Sequence, residues 1–122
     1  MKFSIPICEG RNFAKDPAVV KFKGKYFLYF SAIKDGNLAV GIAVGDDFES
    51  FEFTDYLFPT TPAETKEVGA PAAIVIGDKV HLYYQSYGNW ENDKIMHAVS
   101  DDGVHFTKDP NNPVFAPNGD WT

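Results

Sequence analysis

The residue with the clearest chemical potential is Asp16, which stands in an Asp-Pro step just ahead of an apolar run. Pro17 disfavours the helical conformation for the residue before it, so we expect an extended Asp16 at the mouth of a strand. Arg11 and Lys15 are close in the sequence, and their positive charges suit a carboxylate that has to stay ionised. Asp16 is then either a functional carboxylate or an ordinary aspartate that caps a loop before proline.

The composition limits the kinds of partner. A chain of 122 residues is long enough for one domain with a buried core. Its hydrophobic fraction of 44% and aromatic fraction of 16% argue against disorder and favour an aromatic-rich β protein. The net charge of −6 argues against nucleic acid and anionic membranes as partners, because both require a basic patch.

Cysteine and histidine offer no evident chemistry. Cys8 is the only cysteine, so the chain forms no intrachain disulfide, and its thiol is expected to be structural. His81 and His97 alternate with core residues at a spacing that fits no metal site, and His105 is expected at the surface. We therefore predict no metal and no cofactor. No segment has the apolar length of a secretory signal or a membrane span, so we expect a soluble, cytoplasmic chain.

A pattern of four strands occurs twice in the chain. The first copy opens with a hairpin that turns at Lys23–Lys25 and continues with a strand over 38–44 and an outer strand near Phe51. The second copy repeats this order, and Pro17 and Pro71 occupy matching positions 54 residues apart. A period of about 50 residues with four strands per repeat is typical of a β-propeller. The alternative is two unrelated hairpin pairs in a β-sandwich.

The repeat sets the expected boundaries within an all-β fold of two four-stranded antiparallel blades. They are a lead-in over 1–15, blade one over 16–58, a connecting loop over 59–68, blade two over 69–109, and a run-in towards a third blade over 110–122. We expect at most one helical turn, after Pro62. The Ser-Asp-Asp-Gly turn at 100–103 is expected to be structural, because Asp bonds the turn backbone and Gly103 supplies a positive φ.

Several motifs together resemble the five-bladed β-propeller glycoside hydrolases. They are the Asp-Pro step at 16–17, the Gly-Lys-Tyr-Phe-Leu-Tyr-Phe-Ser segment at 24–31, the Ala-Pro step at 70–71 and the Ser-Asp-Asp-Gly turn at 100–103. The nearest resemblance is to family 43 and its relatives, the arabinanases, xylosidases and arabinofuranosidases. Families 32, 62 and 68, which include the fructan and sucrose hydrolases, are more distant. The resemblance covers everything after the first dozen residues and maps onto the N-terminal two blades.

The resemblance implies a catalytic role for one residue. In that family carboxylates converge on a central channel, and the resemblance places the general base on Asp16. The proton donor and an orienting aspartate belong to later blades and have no counterpart here, and Ala70 occupies in blade two the position of Asp16. The implied function is the N-terminal part of a glycoside hydrolase acting on arabinan-like or xylan-like carbohydrates, incomplete and inactive as an isolated chain. The alternative is a non-catalytic carbohydrate-binding or assembly module.

The positions and side-chain chemistry of three further residues, Arg11, Glu67 and Trp90, make them candidates for substrate binding. Glu67 either reaches the mouth of the channel or is a solvated loop glutamate. Trp90 either stacks on a sugar through the apolar faces of both rings or anchors its loop. Two blades alone would leave apolar faces bare, so besides carbohydrate we expect self-association or a partner chain that supplies the missing blades.

Overall fold

The computed structural model describes residues 2–4, 14–64, 66–88 and 90–118. Over these residues the protein is all-β, with two sheets and one short 3-10 helix, Trp90–Asn92. The strands are β1 (Lys2–Ser4), β2 (Lys15–Phe22), β3 (Lys25–Lys34), β4 (Asn37–Gly45), β5 (Ser50–Leu57), β6 (Glu67–Ile76), β7 (Lys79–Tyr87), β8 (Ile95–Ser100) and β9 (Phe106–Lys108). No helix within the described ranges is long and apolar enough to span a bilayer.

The two sheets correspond to the two predicted blades. The strand order is β1-β5-β4-β3-β2 in the first sheet and β6-β7-β8-β9 in the second. Strands β2 to β5, and likewise β6 to β9, pair antiparallel in sequence order, which confirms two four-stranded antiparallel units. The lead-in, which we expected to be irregular, contributes β1, and β1 pairs parallel with the outer strand β5. An outer strand presents unpaired backbone groups, and β1 satisfies part of them.

Tight two-residue turns join β2 to β3 and β3 to β4. Lys23 and Gly24 have φ values of 50° and 79°, and Asp35 and Gly36 have values of 52° and 80°. Positive φ at both central residues defines the type I′ turn, whose twist matches the right-handed twist of the paired strands. The hairpin turn predicted at Lys23–Lys25 is therefore confirmed, and the second turn has the Asp-Gly pair that type I′ turns favour.

The main hydrophobic core lies between the two blades. Alternate residues of β7, namely Val80, Leu82 and Tyr84, are buried, as the two-residue period of a strand requires. The buried members of this core are Phe22, Phe27, Tyr29, Val40, Ile42, Leu57, Val68, Val80, Leu82, Tyr84, Met96 and Ala98. Both blades contribute to the set, so the two sheets form one packed unit.

The Ser-Asp-Asp-Gly turn of blade two packs against blade one. Tyr29 donates a buried hydrogen bond from its hydroxyl to the Gly103 carbonyl at 2.7 Å. A Cβ atom on Gly103 would lie 2.6 Å from the Phe27 ring, and Gly103 has a φ of 85°. Because both the space and the backbone conformation require glycine, the predicted structural role of this turn is confirmed.

A buried carboxylate fixes the connection between the blades. Glu64 is 0% exposed. Its Oε1 accepts hydrogen bonds from the Thr60 and Thr61 amides at 3.2 and 3.0 Å, and from the Thr61 hydroxyl at 2.8 Å. Lys108 of β9 lies 2.8 Å from Oε2, and the Tyr84 hydroxyl donates to the same oxygen at 3.0 Å. The segment after Pro62 is a single hydrogen-bonded turn closed by this network. The short helix of the described residues lies instead at Trp90–Asn92, so the prediction that a helical turn would occur only after Pro62 is wrong.

We predict that Glu64→Gln destabilises the fold by about 3–5 kcal/mol, because Lys108 is left largely buried without its counter-charge. Urea unfolding measures the loss, and Glu52→Gln, at an exposed position, is the control. Burial alone would raise the pKa of Glu64, but hydrogen bonds from Lys108, Thr61 and Thr60 outweigh burial and lower it. Its contribution is therefore fully present above the unfolded-state pKa and is lost as the pH falls through the lower folded-state value. A destabilisation no larger than that of Glu52→Gln would contradict this account.

Candidate functional site

The inner strands of both blades carry the same irregularity at their start. Pairing in β2 breaks between Lys15 and Ala18, and pairing in β6 breaks between Gly69 and Ala72. Each break is a β-bulge, which re-aims side chains at the end of a strand. The equivalent positions confirm the repeat that the two Asp/Ala-Pro steps predicted.

The backbone at Asp16 differs from our expectation. Asp16 has a φ of 55° and not the extended conformation predicted from the following proline. The reason is the bulge, which removes Asp16 from the hydrogen-bonded ladder. Ala70, its counterpart in blade two, has a φ of 48°. This strained conformation therefore belongs to the repeat, and the feature specific to blade one is the carboxylate itself.

Ser31 of β3 connects this carboxylate to the second blade. The Ser31 hydroxyl donates to Asp16 Oδ2 at 2.7 Å and accepts a hydrogen bond from the Ala70 amide at 2.8 Å. Ser31 is 0% exposed, whereas Asp16 is exposed. The arrangement gives a solvent-facing carboxylate whose orientation is fixed by a buried contact between the blades.

Close approach of the strands at Gly69 makes this contact possible. A Cβ atom at Gly69 would lie 3.0 Å from Ser31 Oγ and 3.2 Å from the Tyr87 ring. Both distances are tighter than ordinary van der Waals contact, so a larger residue would push β6 away from Ser31. Gly69 thus brings Ser31 and Tyr87 to the same point of the molecule.

Tyr87 links the carboxylate to a neighbouring cavity. Burial raises the pKa of the Tyr87 hydroxyl above its ordinary value of 10.0, and the negative charges of Asp16 and Asp93 raise it further. The cavity has a volume of about 550 Å³ and is lined by Gln85, Tyr87, Gly88, Glu91 and Asp93. An aromatic ring beside hydroxyl-binding carboxylates and an amide is a suitable lining for a neutral polyol such as a sugar.

The three predicted substrate-binding residues have different outcomes. Glu67 begins β6 instead of lying in a solvated loop, and its Oε1 accepts a hydrogen bond from the Leu38 amide at 3.0 Å. This contact gives Glu67 a role in holding blade two against β4. Trp90 begins the short 3-10 helix beside the cavity-lining residues, and its side chain lies outside the described part of the chain. Arg11 also lies outside the described residues. The predicted binding roles of all three remain predictions.

Sequence reasoning did not assign roles to Ser31 and Tyr87. Both lie in segments that it quoted, Ser31 at the end of the second strand and Tyr87 in the loop before Trp90. Their functional signal is their proximity to Asp16, and that proximity arises from packing between residues far apart in the sequence. The alternation of buried and exposed positions along a strand does not indicate this proximity.

The histidines form a separate cluster on blade two. His81 Nδ1 lies 2.9 Å from His97 Nε2, and His97 Nδ1 lies 3.0 Å from Asp109 Oδ2. The two imidazole rings stack, and the ring of Tyr83 stacks on His97. These contacts satisfy the histidines as structural groups, as predicted. No group of three or more metal-ligating side chains occurs among the residues that the structure describes.

We predict that Asp16→Asn lowers the pKa of Tyr87 towards its ordinary value, because one of the negative charges that oppose phenolate formation is removed. The measurement is the pH titration of the Tyr87 ¹³Cζ chemical shift. Asp93→Asn should act in the same direction, and Asp46→Asn, at the exposed pair with Lys25, should leave the titration unchanged. An identical Tyr87 titration in Asp16→Asn and the unchanged protein would show that the two groups do not share a site.

Proteins of known structure share the fold of this chain. The chain is similar to Zg3597, a family 117 glycoside hydrolase from Zobellia galactanivorans, with 24% identity and a TM-score of 0.73 over 88% of this chain and 35% of that one. It is similar to the family 32 β-fructofuranosidase BmSUC1 of Bombyx mori, with 24% identity and a TM-score of 0.70 over 88% of this chain and 25% of that one. A GH43_1 enzyme from Xanthomonas citri complexed with xylose gives 19% identity and a TM-score of 0.68 over 81% and 32%.

The chain thus spans between a quarter and about a third of the length of these three enzymes. No curated protein matches it. The family model described as the glycosyl hydrolases family 32 N-terminal domain matches residues 9–121, which is nearly the whole chain. The two antiparallel blades with matching inner-strand bulges, the likeness to propeller glycoside hydrolases and this match together show that the chain belongs to the glycosyl hydrolase family 32 N-terminal domain family.

Proposed function

We propose that this chain supplies the first two blades of a propeller glycoside hydrolase, with Asp16 as the general base. The observation that carries the proposal is the exposed Asp16 carboxylate, oriented by the buried Ser31 hydroxyl beside a cavity lined by Tyr87. A base that activates water must keep one oxygen accessible while its side chain is held in place. The bond from Ser31 occupies Oδ2 and leaves Oδ1 for the water.

The proton donor must then come from outside these 122 residues. Inverting glycoside hydrolysis uses two carboxyl groups about 6.5–9.5 Å apart, one on each side of the scissile bond. In blade two the position equivalent to Asp16 is Ala70, so the second repeat supplies no matching carboxylate. We therefore propose that the isolated chain has no glycosidase activity and that its carboxylate acts within a larger assembly of blades.

The proposed substrates are neutral plant-type polysaccharides and oligosaccharides of the arabinan or xylan kind. The net charge of −6 and the acidic cavity lining disfavour anionic sugars. The xylose-bound enzyme from Xanthomonas citri shares the fold of this chain, and this likeness supports the choice of pentose-based substrates. The resemblance of the Asp16-Pro17 and Ala70-Pro71 steps to family 43 supports the same choice.

We predict that arabino-oligosaccharides or xylo-oligosaccharides shift the backbone amide signals of Gly69, Tyr87 and Gly88 in ¹H–¹⁵N spectra of the chain, and that Asp16→Ala weakens these shifts. The amides around His81 and His97 serve as an internal control on the other part of blade two. Aryl glycosides should not be hydrolysed by the pure chain, because general acid catalysis contributes about 10²–10⁴-fold and the acid is missing. Turnover that disappears in Asp16→Asn would disprove the proposed inactivity. Shifts confined to other surfaces would disprove the proposed site.

A non-catalytic role in assembly is the second candidate, and exposed apolar side chains favour it. Ile74 and Ile76 of β6 are 51% and 56% exposed, and Phe115 is 51% exposed. Phe48 borders an apolar cavity of about 390 Å³ on blade one and is also largely exposed. Monomeric proteins rarely leave large contiguous apolar patches in water. We therefore propose that these faces are covered by a second copy or by a partner chain that supplies further blades.

We predict that the chain self-associates at micromolar concentration, as measured by analytical ultracentrifugation. Ile74→Lys combined with Ile76→Lys should shift the distribution towards monomer, because the new charges cannot be buried without a partner. Lys21→Glu, at an exposed position of blade one, is the control for a change of surface charge. A monomer that is well folded and binds no hydrophobic dye would contradict the proposal.

A further inference from the structure

The Ser31 hydroxyl bonds to both bulges, donating to Asp16 in blade one and accepting from the Ala70 amide in blade two. We propose that Ser31 is a positioning residue for Asp16, and that the Ala70 amide of the second blade sets the direction in which the Ser31 hydroxyl donates. This inference rests on the proposed function, because it concerns the same carboxylate. It adds that the orientation of the carboxylate depends on the contact between two blades.

The hydrogen-bonding capacity of serine fixes the direction of donation. A hydroxyl has a single proton and two acceptor lone pairs. The Ala70 amide is a donor only, so the lone pair that faces it at 2.8 Å cannot be exchanged for the proton. The proton of Ser31 is then directed to Asp16 Oδ2, at the 2.7 Å typical of a hydroxyl bound to a carboxylate. With Ser31 0% exposed, water does not compete for either bond.

The second repeat shows that this pair is specific to blade one. Ser31 pairs with Lys15 across the β2–β3 ladder, and the matching pair in blade two is Gln85 with Gly69. Blade two therefore has the bulge and its positive φ, but it has neither the carboxylate nor the serine. A hydroxyl needed only to close a bulge would be expected in both repeats. Its presence opposite the carboxylate alone indicates a role directed at Asp16.

Other titratable groups surround this position from each element packed against it. Lys15 precedes Asp16 on β2, Glu67 lies on β6 with its carboxylate bound to the Leu38 amide, and Tyr87 lies on β7. Asp93, from the segment before β8, acts on Tyr87 together with Asp16. Tyr87 is neutral through the acid range, since its ordinary pKa of 10.0 already lies far above that range and burial raises it further. Because Asp16 and Glu67 both carry a carboxylate, their side-chain ¹³C signals are followed separately in the NMR experiment below.

The test follows the chain by NMR without any sugar. In the unchanged protein, the Ala70 amide signal should shift with pH in step with the Asp16 side-chain ¹³C signal, because neutralising the carboxylate weakens the hydrogen bond that Oδ2 accepts from Ser31, and this change reaches the Ala70 amide through the Ser31 hydroxyl. In Ser31→Ala this coupled shift of Ala70 should be lost. Ser86→Ala is the matched control, since Ser86 is equally buried and bonds the Lys94 amide in the same molecule. In Ser86→Ala the Ala70 signal should still follow Asp16.

A second variant keeps the proposal falsifiable if Ser31→Ala does not fold. Asp16→Ala retains Ser31 and Ala70, and the Ala70 amide should then lose its shift over the acid range. Persistence of that shift in either variant, or its absence in the unchanged protein, would overturn the inference. The outcome of this NMR test does not depend on whether the chain has glycosidase activity. A coupled Ala70 shift without any effect of Asp16→Ala on sugar binding would reject the proposed function and leave the positioning role of Ser31 in place.

Discussion

The hydrogen bonds of one buried hydroxyl, that of Ser31, join the inner strands β2 and β6 of the two blades. Ser31 binds the side chain of Asp16 and the backbone of Ala70, so the two inner strands are held at a fixed separation. That separation requires Gly69, because any side chain there would contact Ser31 and the ring of Tyr87. The same contact brings the carboxylate, the phenol and the neighbouring cavity together. The candidate site is therefore a property of the packing between blades and not of either blade alone.

The sequence predicted the features that have a local cause. Turn-forming residues, strand periodicity and the duplicated Xaa-Pro step indicated two similar blades, and the structure contains them. Other features depend on contacts across the fold. The positive φ of Asp16 arises from a bulge, and the burial of Glu64 depends on Lys108 of the distant strand β9. Glu67 belongs to a strand because it pairs with Tyr87 of β7, and its carboxylate binds the Leu38 amide of blade one. The hydrophobic periodicity of the sequence does not indicate such long-range contacts. The conformational preference of a residue before proline predicted an extended Asp16, which is wrong.

The two blades hold one exposed carboxylate in a fixed orientation at their contact. A buried hydrogen-bond network around Glu64 fixes the connection between the blades. The hydrogen bond from Tyr29 to Gly103 holds the Ser-Asp-Asp-Gly turn of blade two against blade one. These contacts allow the inner edge to keep a strained backbone at two equivalent positions. One of these positions carries a carboxylate and the other an alanine. The duplicated scaffold therefore presents a single carboxylate at this edge, as the proposed role of Asp16 requires.

The most direct test of this account is hydrogen–deuterium exchange at the Ala70 amide. The bulge takes Ala70 out of the regular pairing of β6 with β7, so without the contact to Ser31 its amide would exchange as rapidly as that of a surface loop. We predict instead that it exchanges as slowly as the core amides of β7, because the bond to the buried hydroxyl breaks only when the blades separate. Fast exchange at Ala70 together with slow exchange in β7 would contradict the central claim that Ser31 joins the two blades.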